Sequence, residues 1–189
     1  MERNEIGRTY YALISLYFYS WGVNNAADLI LTRWRRTKHG DTIMERDGKK
    51  VLEYVAIKRR DGTWAIPGGF RELGDKDITA TQIREFTEET LNSKSIFFLQ
   101  DEKKVLEKPY ARFPRIYSHD PRNTDNAWVE TTAVLYHDTS GLLTKNIKFV
   151  AGDDANHVEW ACLHRGIKLF ASHNLLLEMV ANELDAYYG

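Results

Sequence analysis

The chain has 189 residues, 43% of them hydrophobic and 12% aromatic, with a formal net charge of −1. That is enough apolar material for a sizeable core and excludes a disordered chain. The near-neutral balance excludes a global pull toward nucleic acid, so no nucleic-acid partner is expected. Cys162 is the only cysteine, which rules out an intrachain disulfide and a cysteine-based zinc site.

The apolar, aromatic segment Tyr10–Trp21 is too short to cross a bilayer, which takes roughly 20 residues. It also lacks the small-residue cleavage site of a signal peptide. It reads as a strand or packing segment, and direct membrane insertion is not expected. A basic run, Arg33-Trp34-Arg35-Arg36, leads into a polar turn at Lys38-His39-Gly40-Asp41. The β-branched and aromatic content of Val51–Lys58 predicts a strand. Arg59–Gly62 predicts a turn, with Asp61-Gly62 as the hairpin signal. Trp64–Ile66 is the returning strand, ended by Pro67-Gly68-Gly69. Thr79 is placed as the N-cap of a helix over Ala80–Thr90, with Gln82 completing a capping box and Asn92 as its stop. Ser95–Leu99 reads as a strand and Asp101–Lys108 as a charged short helix or loop. Trp128–Tyr136 and Val158–Leu163 are further strands, and Cys162 is expected as a small buried residue on the second. Ser172 is expected to cap a last helix whose Leu175, Leu176, Met179, Val180 and Leu184 share a face. This order implies an α/β sandwich with a mixed sheet. The polar turn near residues 37–49 divides a small N-terminal lobe, 1–48, from a main domain, 49–189.

The chemistry concentrates between Gly69 and Glu89. On the predicted helix, Glu85 lies three residues before Glu88 and four before Glu89, spacings that bring side chains together on one face. Crowded carboxylates repel. A hard divalent cation removes the repulsion, and oxygen ligands are what magnesium or manganese prefers. Arg84 can reach Glu88 at i,i+4 and orient it. Gly68-Gly69 lets the backbone turn sharply and approach a phosphate, and the following loop feeds a helix N-terminus suited to an anion. Further on, Asp120, Arg122, Asn123, Asp125 and Asn126 offer donors and acceptors for ribose hydroxyls and phosphate, with Arg122 able to fork onto a phosphate. The same residues could equally build a turn held by Asx hydrogen bonds. His39, His119, His137, His157 and His164 show no metal-ligand spacing.

The stretch resembles the Nudix box at Gly69, Arg84, Glu85, Phe86, Glu88 and Glu89. It departs in having 14 residues between Gly69 and Arg84 where the pattern has 13, which shifts the loop acid to Asp75 with Glu72 and Asp77 nearby, and in having Leu91 where a glycine is usual. The resemblance extends to the family of mitochondrial-type ADP-ribose pyrophosphatases and the homologous C-terminal domain of ADP-ribose-gated melastatin-type cation channels. It is carried by Gly7-Arg8-Thr9, Trp21-Gly22, parts of Asn24–Asp28, Thr32-Arg33-Trp34, Trp64–Gly69, Glu88–Ser93, Asp120–Trp128, Ala151–Ala155 and Leu169–His173. Val23, Asn25 and the aromatic run Tyr10–Tyr19 depart from that family. The resemblance implies a Nudix α/β/α sandwich and hydrolysis of ADP-ribose to AMP and ribose 5-phosphate. It also implies Mg²⁺, with Mn²⁺ as the alternative, on Glu85, Glu88 and Glu89. Arg84 would hold that set, and Glu88 or an acid at Asp153 or Asp154 would take the water's proton. Thr32, Arg33, Gly69, Asp120, Arg122, Asp125, Asn126, Phe170, Ser172 and His173 would contact substrate. The implied setting is a free mitochondrial enzyme or a cytoplasmic domain joined to the rest of a tetrameric channel, where it would sense ADP-ribose.

Overall fold

The computed structural model describes residues 21–40, 42–72, 76–91, 106–145, 147, 149–151 and 155–189. The expected strand at Ser95–Leu99, the stop at Asn92, most of the Tyr10–Trp21 segment and the start of the 101–108 stretch lie outside these residues.

Two long strands form the spine. β1 (Gly22–Trp34) and β9 (Ala127–Asp138) run parallel, in register from Gly22↔Ala127 to Arg33↔Asp138. On the far side of β1, the strand β4 (Leu52–Arg59) pairs antiparallel with Thr32–Trp34, and β10 (Ala155–Cys162) pairs antiparallel with β4. β7 (Ala111–Arg112) and β8 (Ile116–Tyr117) pair with β9. β2 (Glu45–Arg46) and β3 (Lys49–Lys50) make a separate hairpin. β5 (Trp64–Ala65) returns along β4, and β6 (Gly68–Phe70) then crosses to Ala26–Asp28 of β1. The sheet is mixed, as expected. β1 belongs to the 1–48 segment read as an N-terminal lobe, yet it runs through the middle of this sheet, so the sheet does not divide at residue 48.

Both faces of the spine are apolar, and each carries a helix. Ile30, Trp34, Leu52, Ala133 and Leu135 pack against Leu176, Leu177, Val180 and Ala181 of α2 (His173–Glu183). Leu29, Leu31, Val134 and Tyr136 pack against Phe86 of α1 (Ile78–Leu91), with Ile83 alongside. A strand buried on both faces reads as an unbroken hydrophobic run, which is why Leu29–Leu31 shows no alternation. Phe86 is 2% exposed; burying such a ring is worth about 2–3 kcal/mol, and it anchors α1 to the sheet.

Three helix details differ from expectation. Asp77, not Thr79, caps α1: its Oδ1 accepts the Ala80 N–H at 2.9 Å. Gln82 is buried rather than completing a capping box, and its amide donates to Asp28 O at 3.2 Å and Thr132 O at 3.1 Å, tying α1 to both spine strands. In α2, Leu175 is exposed and Leu177 takes the core position. Cys162 ends β10 and is only partly buried. No helix among the described residues is long and apolar enough to cross a membrane.

Candidate functional site

A cavity of about 920 Å³ opens where β6 leaves β5 and meets β1; Gly68, Gly69, Glu85, Glu88, Glu89, Asp120, Arg122, Phe170 and His173 all line it. Three segments distant in sequence build its walls.

The first wall is β6 and α1. The Gly68 N–H donates to Glu89 Oε2 at 2.9 Å, so helix and strand are joined at the metal-candidate carboxylates. Neither glycine has room for a side chain. A methyl group on Gly68 would strike the Asp28 carboxylate and lie 2.7 Å from Ala27 O, and one on Gly69 would lie 2.6 Å from Glu85 Oε2. Arg84 cross-links the wall. Its Nη1 is 3.0 Å from Glu85 Oε1 and 3.4 Å from both Glu88 Oε2 and Glu72 Oε1, while Nη2 donates to Phe70 O at 3.2 Å. The expected Arg84–Glu88 pair is therefore present, as one of several.

Burial raises the pKa of Glu85 to about 7; Arg84 opposes this, and the neighbouring Glu88 adds to it. Burial likewise raises Glu89 to about 8, with the Gly68 hydrogen bond opposing and Glu85 adding. Two carboxylates whose charge is disfavoured chiefly by burial, and only partly offset by Arg84 and the Gly68 amide, form an all-oxygen donor set that suits a hard divalent ion. Among the described residues, no group of three or more His, Cys, Asp or Glu side chains is already gathered to hold a metal. The three glutamates share one wall but are drawn to Arg84 and to the Gly68 amide rather than to a common point. Such a donor set fits a cation after side-chain rotation only.

The second wall is the loop before β9. Asp120 is buried, and its carboxylate accepts from Arg122 N (2.9 Å), Nε (2.8 Å) and Nη2 (2.6 Å). Burial works against its charge, but these bonds hold its pKa below the usual range. Asn123 donates to Ser118 O at 2.7 Å and accepts from Val129 N at 3.0 Å. The Asx-type turn raised from sequence is therefore present, and Arg122's fork is closed on Asp120 instead of open to a ligand. Asp125 and Asn126 are exposed and stand outside the cavity lining.

The third wall is the corner leading into α2. Phe170 is pinned by its N–H to Trp64 O at 2.8 Å, and Ala171 adopts a left-handed φ of 49°. Ser172 points away from the lining: its Oγ accepts the His119 N–H at 2.8 Å and donates to Tyr117 O at 3.3 Å. His173 Nδ1 accepts the Ile66 N–H at 2.9 Å, which leaves the neutral ring's proton on Nε2, 3.8 Å from Asp28 Oδ1. Burial lowers His173 and raises Asp28, so both partners tend toward neutrality.

Thr32 and Arg33 are not brought to this cavity. They sit four and five residues beyond Asp28 on one extended strand, roughly 13–17 Å away. Thr32 is fully buried and bonded to His137 Nδ1 at 2.9 Å. Arg33 pairs with Glu53 at 3.0 Å, lies 4.0 Å over Trp160, and faces a second cavity of about 520 Å³. Asp154, with Asp153 and Asp75, lies outside the described residues. Several lining residues were not singled out from the sequence, Asp28 and Arg59 among them. Asp28 leaves a signal, a lone acid beside the apolar run Leu29–Leu31, whereas Arg59 was absorbed into a turn.

No family model matches the chain. The chain is 45% identical over 199 residues to "ADP-ribose pyrophosphatase, mitochondrial" of Rattus norvegicus, covering 99% of this chain and 55% of that protein. It is 44% identical over 174 residues to "Transient receptor potential cation channel subfamily M member-like 2" of Nematostella vectensis, covering 89% of this chain and 11% of that one. Among solved structures, a MutT/nudix family protein from Enterococcus faecalis superposes with a TM-score of 0.58 at 20% identity, covering 98% of this chain and 70% of that one. The chain belongs to the Nudix family. Its Nudix-box residues Gly69, Arg84, Glu85, Glu88 and Glu89 all meet at one wall of the cavity, with Phe86 turned into the core behind them. This Nudix domain spans about half the length of its rat relative and about a tenth of the channel.

Proposed function

We propose that this domain hydrolyses the diphosphate of ADP-ribose to AMP and ribose 5-phosphate, using Mg²⁺, or Mn²⁺ as the alternative, on Glu85, Glu88 and Glu89. One observation carries the reading: the carboxylates of α1, the paired glycines, the Asp120–Arg122 loop and the Phe170–His173 corner share a single cavity large enough for a dinucleotide-sized ligand. The kinship to the rat pyrophosphatase supports the choice of substrate.

A bound divalent ion supplies charge neutralisation on phosphate oxygens and acidification of a water. The chain's own residues do the rest. Gly68 and Gly69 keep side chains out of the space beside Glu85 and Glu89. Arg84 gathers Glu85 and Glu88 on one wall, from which they turn toward the ion. Glu88, the exposed member of the set, or Asp154 takes the proton of the attacking water. Gly69, Asp120, Arg122, Phe170 and His173 enclose the ligand, while Thr32, Arg33, Asp125, Asn126 and Ser172 lie outside the lining.

A second reading is favoured by the kinship to the Nematostella vectensis channel: the domain binds ADP-ribose as a sensor for the rest of a tetrameric cation channel, and would then be cytoplasmic rather than mitochondrial. The deciding experiment is incubation with ADP-ribose and Mg²⁺, followed by chromatography. AMP and ribose 5-phosphate support hydrolysis. Binding without AMP leaves the sensor, and neither binding nor product overturns both readings.

A further inference from the structure

Arg59 is the last residue of β4, and the hairpin that follows fixes its backbone. Its N–H donates to Thr63 O at 2.8 Å and its carbonyl accepts from Gly62 N at 2.9 Å. Opposite it, the β10 pairing shifts register between Ala155 and His157, the kind of irregularity that re-aims a strand end.

The Arg59 side chain lines the same cavity as the α1 carboxylates. Its guanidinium carbon lies 4.0 Å from the centroid of the Phe170 ring. That ring is itself set by the Trp64 hydrogen bond and by the left-handed Ala171. Stacking on an aromatic face holds a guanidinium in one plane while leaving its N–H edge available. The Nε of Arg59 is buried and has no hydrogen-bond acceptor. Asp61 Oδ2 stands 3.8 Å away, too far for a hydrogen bond, and the other oxygen of Asp61 is taken by Thr63.

The other arginines described above are committed differently. Arg84 is spread over Glu72, Glu85, Glu88 and Phe70 O. Arg122 has closed its fork on Asp120. A cavity this rich in carboxylates repels an anion unless cations face it, and a guanidinium is the side chain best matched to phosphate oxygens.

We infer that Arg59, backed by Phe170, is a phosphate-binding cation of this cavity, taking an oxygen of the ligand's diphosphate through its guanidinium in the role that the sequence suggested for Arg122. The assignment rests on the proposal that the site accepts a nucleoside diphosphate, and it identifies the group that holds it opposite the α1 carboxylates.

The test is calorimetric titration of inorganic pyrophosphate and of AMP, each with Mg²⁺, into wild type, Arg59→Gln, Arg59→Lys and Phe170→Leu. A melting curve for each variant checks the fold. Loss of a charge-assisted bond should weaken both probes about 10- to 100-fold in Arg59→Gln. Arg59→Lys, which keeps charge but loses the fork and the stack, should fall between, and Phe170→Leu should weaken binding a few-fold. If Arg59→Gln does not fold, Arg59→Lys and Phe170→Leu carry the test. Equal affinity across all the folded proteins, or no binding of either probe by wild type, overturns the assignment. Arg59-dependent binding of pyrophosphate, with no AMP made from ADP-ribose, would keep the assignment and remove the substrate reading instead.

Discussion

Gly69→Ala should abolish most catalysis while leaving the fold standing. The added methyl group would sit 2.6 Å from Glu85 Oε2, with the carboxyl carbon and Oε1 equally crowded. Carbon and oxygen need roughly 3.3–3.5 Å, so the carboxylate must retreat by about 1 Å. Glu85 is the flexible end of a side chain, so this retreat costs little stability, below about 1 kcal/mol or roughly 3 °C in melting temperature. Its consequence is chemical. Glu85 is held 3.0 Å from Arg84, so a displaced Glu85 disturbs the guanidinium that also orients Glu88. A displacement of about 1 Å in a catalytic array costs on the order of 100-fold in rate. Gly68→Ala is the contrast. There the methyl group meets backbone, Ala27 O at 2.7 Å and Asp28 Cα at 3.0 Å, which cannot rotate away. That clash should cost about 1–3 kcal/mol and lower the melting temperature by about 3–10 °C. Melting curves and AMP formation from ADP-ribose, measured on both variants, separate the two effects. A Gly69→Ala protein with more than half of wild-type activity, or one as destabilised as Gly68→Ala, would refute the packing argument.

Two further outcomes follow from the charges in the cavity. Glu89 has its pKa raised from 4.5 to about 8 in the folded, metal-free protein. The folded state therefore holds more protons than the unfolded one across that interval. Stability is lost as pH rises from about 4.5 to about 8, by at most about 1.4 kcal/mol for each step of one in pH. In EDTA, the stability difference between Glu89→Gln and wild type should widen in favour of the variant over that range, and Mg²⁺ should close it; a difference flat with pH contradicts the assignment. Arg122→Gln should lower the melting temperature by about 3–10 °C, because it strips two charged bonds, worth about 1.5–3 kcal/mol, from a buried carboxylate. An unchanged melting curve would mean that the Asp120–Arg122 fork does not hold the loop.

The parts of this molecule that were legible in its sequence are those fixed by local chemistry. Turn glycines, β-branched runs and the spacing of Glu85, Glu88 and Glu89 announced the hairpin, β4, β9, β10 and one acidic helix face, whereas the central strand β1 was not anticipated. What long-range packing decides was not legible. Gln82 fits a capping box locally, but a fully buried amide between Asp28 and Thr132 serves the tertiary fold better, and Asp77 then takes the cap. Thr32 and Arg33 lie near the site residue Asp28 in sequence, but an extended strand carries them out of reach. Asp120 and Arg122 offered the right groups for a phosphate, and only the fold reveals that they are bonded to each other. Arg59 went unnoticed because turn residues carry no sign of which cavity their side chains face.

The central claim is that the acidic wall of α1 binds the divalent ion on which diphosphate cleavage depends. Electron paramagnetic resonance titration with Mn²⁺, comparing wild type with the Glu85→Gln/Glu89→Gln double variant, tests it directly. Tight binding by wild type should fall at least about 10-fold in the variant, whose buried donors are then neutral. Undiminished Mn²⁺ binding by the double variant would place the metal elsewhere and contradict the account.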